Sequence, residues 1–167
     1  MKQDACKLTE KLQEMAVLYG RFHELLAQEQ VYLVNNNTRE LAEVVKEKER
    51  IAEKVQSAED ERLALLDSIA VTMKADRRRI KVDDIASLLE KKDAADLLDA
   101  RNALRTALAQ VKALNEINNQ LLNDSMQYVR SAFEIVAGKK DQRQGYGNNG
   151  MVRTTVKVER NLVNTRA

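Results

Sequence analysis

No proline interrupts this 167-residue chain, and a single glycine, Gly20, precedes residue 138. Proline costs a helix interior about 3 kcal/mol and glycine about 1 kcal/mol relative to alanine, so these two residues are the usual punctuation of helical sequence. A chain that lacks nearly all of it over 137 positions has few places to stop a helix. Charged residues at 32 % and aromatics at 4 % complete the composition of long amphipathic helices. The expected fold is all-α: three long antiparallel helices forming a coiled-coil-like bundle, a short connector helix and a flexible C-terminal tail. Residues 1–137 are the expected bundle domain. Residues 138–167, which hold the other four glycines, are the tail.

Apolar spacing places the helices. Leu8, Leu12, Met15, Tyr19, Phe22, Leu26, Glu29 and Leu33 step by four and three, a heptad seam over about Asp4 to Val34. Asn35-Asn36-Asn37-Thr38 reads as the turn, with Asn37 or Thr38 capping the next helix. That helix is expected from Arg39 to Ala75, on the seam Leu41, Val45, Lys48, Ala52, Val55, Glu59, Arg62, Leu66, Ile69 and Met73. A short turn makes the two helices antiparallel neighbours. The charges inside these seams read as long stems with heads reaching water, Lys48 above all. Glu59 and Arg62 are also spaced to pair on the helix surface. Residues 76–93 form the connector, with Arg77-Arg78-Arg79 exposed and Ile80 and Val82 extended. Asp83 is expected to cap a short helix carrying Ile85, Leu88 and Leu89. Asp93 is expected to cap the third long helix, about Ala94 to Ala137, with Gly138 as its stop.

The third long helix has a stripe too wide for one neighbour. One column is Leu104, Val111, Asn118 and Ser125; a second is Leu114, Leu121, Tyr128 and Ile135; a third is Leu108, Asn115, Leu122, Val129 and Val136. A third helix crossing a hairpin could cover such a face, and so could self-association. Amides at Asn115 and Asn118 break it. A buried amide costs roughly 1–3 kcal/mol unless hydrogen-bonded, so two on one stripe need a reason. The reason is either register within a coiled coil or a surface kept open for a partner helix.

Several chemistries lack their residues. His23 is the only histidine and Cys6 the only cysteine, so no disulfide forms within the chain and no metal-ligand spacing or nucleophile–base pair is present. The glycines from Gly145 to Gly150 are not followed by the Lys-Ser/Thr of a phosphate loop. The expected protein is not an enzyme and needs no cofactor. The tail holds seven Lys/Arg against two Asp/Glu, while the preceding residues sum to −3. Charge dispersed in this way reads as a solvated segment, and Arg77-Arg78-Arg79, which has no interleaved aromatics to stack bases, reads as a solvated connector, so no nucleic-acid partner is expected. The N-terminus does not read as a secretory signal, and no apolar run approaches the roughly 20 residues of a membrane span, so a cytoplasmic protein without membrane insertion is expected.

Three groups of residues carry a family resemblance. Lys48, Ile51, Val55, Glu59 and Arg62 follow one helical spacing, Asn115-x-x-Asn118 precedes Leu121-Leu122, and Tyr146-Gly147-x-x-Gly150 lies in the tail. In this order, in a proline-free helical chain, they resemble the FlgN family, type III export chaperones for proteins of the flagellar hook–filament junction. Glu29 in the first seam fits as well. Asn119 stands where the family often has glycine, and the residues after Gly150 have no counterpart. The resemblance implies a chaperone that binds the C-terminal helical segments of hook-associated FlgK-like and FlgL-like proteins, and delivers them to the FlhA-like component of the export gate. It implies client binding by Leu114, Asn115, Ile117, Asn118, Leu121, Leu122, Tyr128 and Val129, and gate binding by Tyr146, Gly147 and Gly150. The rival readings are a self-assembling structural coiled coil, in which the amides fix the register of a homo-oligomer, and a nucleic-acid or lipid binder driven by the basic tail.

Overall fold

The computed structural model describes residues 2–137, which are almost entirely helical and contain no strand. Helix α1 spans Lys2–Val34, α2 Thr38–Met73, α3 Val82–Ala86 and α4 Lys91–Val136, with a 3-10 turn at Arg77–Arg79. The all-α expectation, with three long helices and a short connector helix, holds for these residues. The tail from residue 138, with Tyr146, Gly147 and Gly150, lies outside them. The chain divides into two compact units, Met1–Leu122 and Asn123–Ala167, so the boundary falls inside α4.

The first unit is a three-helix bundle. Leu8, Leu12, Met15 and Leu26 of the expected α1 seam are buried. The turn after α1 uses amides as expected: Asn36 takes a left-handed φ of 54°, and the Asn37 side chain accepts a hydrogen bond from the Glu40 N–H. At one end Lys2 reaches Glu90 and Asp93; at the other Asn118 bonds to Leu26. Helices α1 and α4 therefore run parallel, with α2 antiparallel to both.

The α2 seam differs from expectation by one residue over its first half. Leu41, Lys48, Val55, Arg62 and Ile69 turn inward, but the companion column is Val44, Ile51 and Ala58, while Val45 and Ala52 are exposed. Both phases share the first column. The observed one buries Val, Ile and Ala where the other would bury Val, Ala and Glu59, so transfer free energy decides it. Further along, Leu66, Ile69 and Met73 pack as expected.

The connector closes one end of the bundle. Ile80 and Lys81 are extended, and the Lys81 N–H donates to Asp84 Oδ2 at 2.8 Å. The cap is thus built from Asp84, while Asp83 sits in the first turn of α3 and binds Arg101 of α4 at 2.7 and 2.8 Å. Helix α3 carries Ile85 into the core, joining Leu8, Ile69 and Leu97. It ends before Leu88, which is exposed. Helix α4 begins at Lys91, three residues earlier than expected, so Asp93 lies within its first turn and not at its cap. Arg77 is held by Asp67 at 3.0 Å.

Candidate functional site

The wide stripe of α4 resolves into covered and open columns. In the first unit Leu97, Leu104 and Asn118 are buried, as are Ala100 and Ala107 of the next column. Val111, Leu114 and Leu121 are half-buried continuations of these two columns. The remaining column stays open: Leu108 and Leu122 are exposed, the latter at 44 %, and Asn115 is half-buried. Ile117 is exposed on another side of the helix.

Asn118 is the only buried polar residue among those described, at 3 % exposure. Its Nδ2 donates to the Leu26 carbonyl at 2.8 Å and to Glu29 Oε2 at 3.0 Å. Both protons of the amide are used on acceptors, which fixes its orientation, since a flip would set oxygen against oxygen. Oδ1 is buried with no partner. Lys48 Nζ bonds both Glu29 oxygens at 2.8 Å, with the two side chains 18 % and 13 % exposed, and lies 5.8 Å from the centre of the Phe22 ring. Lys48 therefore does not extend to water as its spacing suggested. It turns across to α1, because an unpaired seam carboxylate at Glu29 would be far costlier than a paired one. Residues from three helices meet here.

Sequence reasoning found Glu29, Lys48 and Asn118 one at a time and did not join them. The available signal was that Glu29 and Lys48, opposite charges in the seams of antiparallel neighbours, each lack a partner three or four residues away on their own helix, whereas Glu59 and Arg62 have each other. Glu59 and Arg62 do pair as spaced, through two hydrogen bonds. The bonds to Arg62 hold the Glu59 carboxyl below its ordinary value. Burial, with the Glu59 charge nearby, pushes the Tyr19 phenol up.

The described part of the second unit is the last turns of α4. Its side chains are exposed throughout, including Tyr128, Val129, Ile135 and Val136. Met126, Val129 and Phe133, at 58, 51 and 69 %, line an open apolar depression with Ser125 and Arg130. Of the predicted site residues, Tyr128 and Val129 lie on this unit. Met126 and Phe133 were missed, although they continue the four-and-three spacing of the third column's Val129. Among the described residues no group of His, Cys, Asp or Glu is placed to hold a metal, and no helix is long and apolar enough to cross a membrane.

No curated protein and no solved structure matches the chain. The sequence profile of the family described as FlgN protein matches residues 1–154. The chain belongs to the FlgN family, the flagellar export chaperones.

Proposed function

We propose that this chaperone acts in the cytoplasm on hook-associated proteins of the FlgK and FlgL kind, and that it holds their C-terminal helical segments until export through the type III gate. The observation that carries the reading is the exposed apolar face at Met126, Val129 and Phe133. Such a face is costly to leave in water and is shaped to take an amphipathic helix at successive turns. A junction protein's terminal helix has the complementary problem, since its permanent partners are met only after export. The client contacts are Leu114, Asn115, Ile117, Leu121 and Leu122 on the first unit and, on the second, Tyr128 and Val129, extended by Met126 and Phe133. Asn118 belongs to the client set through the orientation it gives its neighbours, because its own amide is spent inside the bundle.

Delivery is assigned to the tail, where Tyr146, with Gly147 and Gly150 of the same motif, is the contact to an FlhA-like gate component. Aromatic anchors dominate many small interfaces. Tyr146→Ala should leave client affinity within twofold and reduce secretion of the client; undiminished secretion would remove this assignment.

Gel filtration with light scattering tests the reading as a whole. The full chain mixed with a peptide of about 30 residues from the C-terminus of a FlgK-like protein should give a discrete complex, about 20 residues being a helix of 30 Å. A stable oligomer of the chain alone, indifferent to the peptide, would favour the self-assembling coiled coil instead.

A further inference from the structure

We infer that Glu29, Lys48 and Asn118 form a polar clasp that sets the rotation of α4 on the α1–α2 hairpin, and thereby keeps Leu122 at the surface for the client. The inference rests on the client reading above. Relative to Asn118, Leu122 and Leu114 lie about 40° to either side around the helix, and Leu121 and Asn115 about 60°. Apolar residues therefore flank Asn118 on both sides. Turning α4 toward Leu122, which is left 44 % exposed in the structure, would bury that leucine but lift the half-buried Leu114 and Leu121, so burial of these residues does not by itself fix the rotation. What resists that turn is directional. The Asn118 amide reaches the Leu26 carbonyl and Glu29 in one setting of the helix, and Glu29 is itself tied to Lys48 of α2.

A residue selected only for stability would not look like this. Oδ1 of Asn118 is enclosed without a partner, where a leucine would have nothing to satisfy. A half-satisfied amide in a core exchanges stability for a unique arrangement, as polar seam residues do in coiled coils. Asn118, Glu29 and Lys48 are positioning residues: none is exposed to a client, and each acts through the setting of α4.

Thiol labelling at position 122 tests this directly, in a full-length Cys6→Ser background that removes the exposed native cysteine. In that background Leu122→Cys should label freely. Adding Asn118→Leu should slow labelling at least fivefold while the melting temperature stays level or rises, and affinity for the FlgK-type peptide, measured without the 122 substitution, should fall about tenfold. A merely structural role predicts the opposite pair, a lower melting temperature with faster labelling. The double variant Glu29→Gln/Lys48→Met keeps an acceptor for Asn118 but cuts the tie to α2, so it should slow labelling and weaken peptide binding, though by less than Asn118→Leu; labelling and affinity equal to the parent's would remove Lys48 from the clasp. Unchanged labelling and affinity in Asn118→Leu would overturn the clasp. A parent protein that binds no FlgK-type peptide would remove the client reading, and the labelling rates would then decide the clasp's hold on α4 by themselves.

Discussion

Asn118 shows how much one amide can constrain. Both its donors are satisfied and its acceptor is not, so replacing it tests two separate things. Asn118→Leu removes an unsatisfied oxygen and leaves Glu29 paired with Lys48; stability should change by less than about 1 kcal/mol. Asn118→Asp sets a carboxylate against Glu29 and the Leu26 carbonyl, and should cost roughly 3 kcal/mol in urea unfolding. Equal stability of the two variants would contradict the hydrogen-bond assignment. The amide interruption was plain in the sequence, where Asn occupies positions that ask for apolar residues. Its burial was not, because period alone does not say which of three adjacent columns a bundle will cover. Glu59 makes a smaller, pH-dependent contribution. Its bonds to Arg62 lower its pKa on folding, so the contribution is present above the unfolded carboxyl value and is lost as pH falls through the folded one. The pair is about a third exposed, which limits it to under about 1 kcal/mol. The melting difference between the parent and Glu59→Gln should shrink between about pH 6 and pH 3; a difference that grows in acid would reverse the sign.

At the scale of elements, the absence of proline and glycine made the long helices legible, and amide-rich sequence marked the first turn. Details decided by competition were less so. The α2 seam has two phases that share a column, and only the volumes and polarity of the companion residues separate them. The α2 terminus was equally hard to read, because Lys74 adopts a left-handed φ of 52° with no glycine to announce it. Its neighbour Ala75 donates to Ala70 and Lys74 itself to Val71, which closes the helix in the manner usual for a glycine cap. Left-handed backbone costs a side-chain-bearing residue about 1 kcal/mol. Lys74→Gly should therefore raise stability by about that amount in chemical unfolding, and a loss would show that the lysine stem contributes more than its backbone costs. Helix α3 was predicted with its place but not its cap, since Asp83 and Asp84 are adjacent and only geometry assigns one to the backbone and the other to Arg101.

For the whole molecule, the family was legible from three spaced groups of residues, while two of the exposed apolar side chains of the candidate site were not. Met126 and Phe133 carry no motif; they stand out only because nothing among the described residues covers them. A bundle that buries its first two columns and leaves a third open suits a protein that must hold a client firmly and then release it. The polar cluster at Glu29, Lys48 and Asn118 belongs to the same design, because it spends stability on a fixed arrangement. The central claim is that the open face of α4 is where the client helix rests, and affinity for a FlgK-type C-terminal peptide measures it most directly. Val129→Ser/Phe133→Ser removes two apolar side chains that are 51 and 69 % exposed, so the melting temperature should hold within about 2 °C. The peptide's dissociation constant should rise about 100-fold, as expected for two buried anchors worth roughly 1.5 kcal/mol each. Affinity equal to that of the parent, in a variant that melts like the parent, would contradict the account.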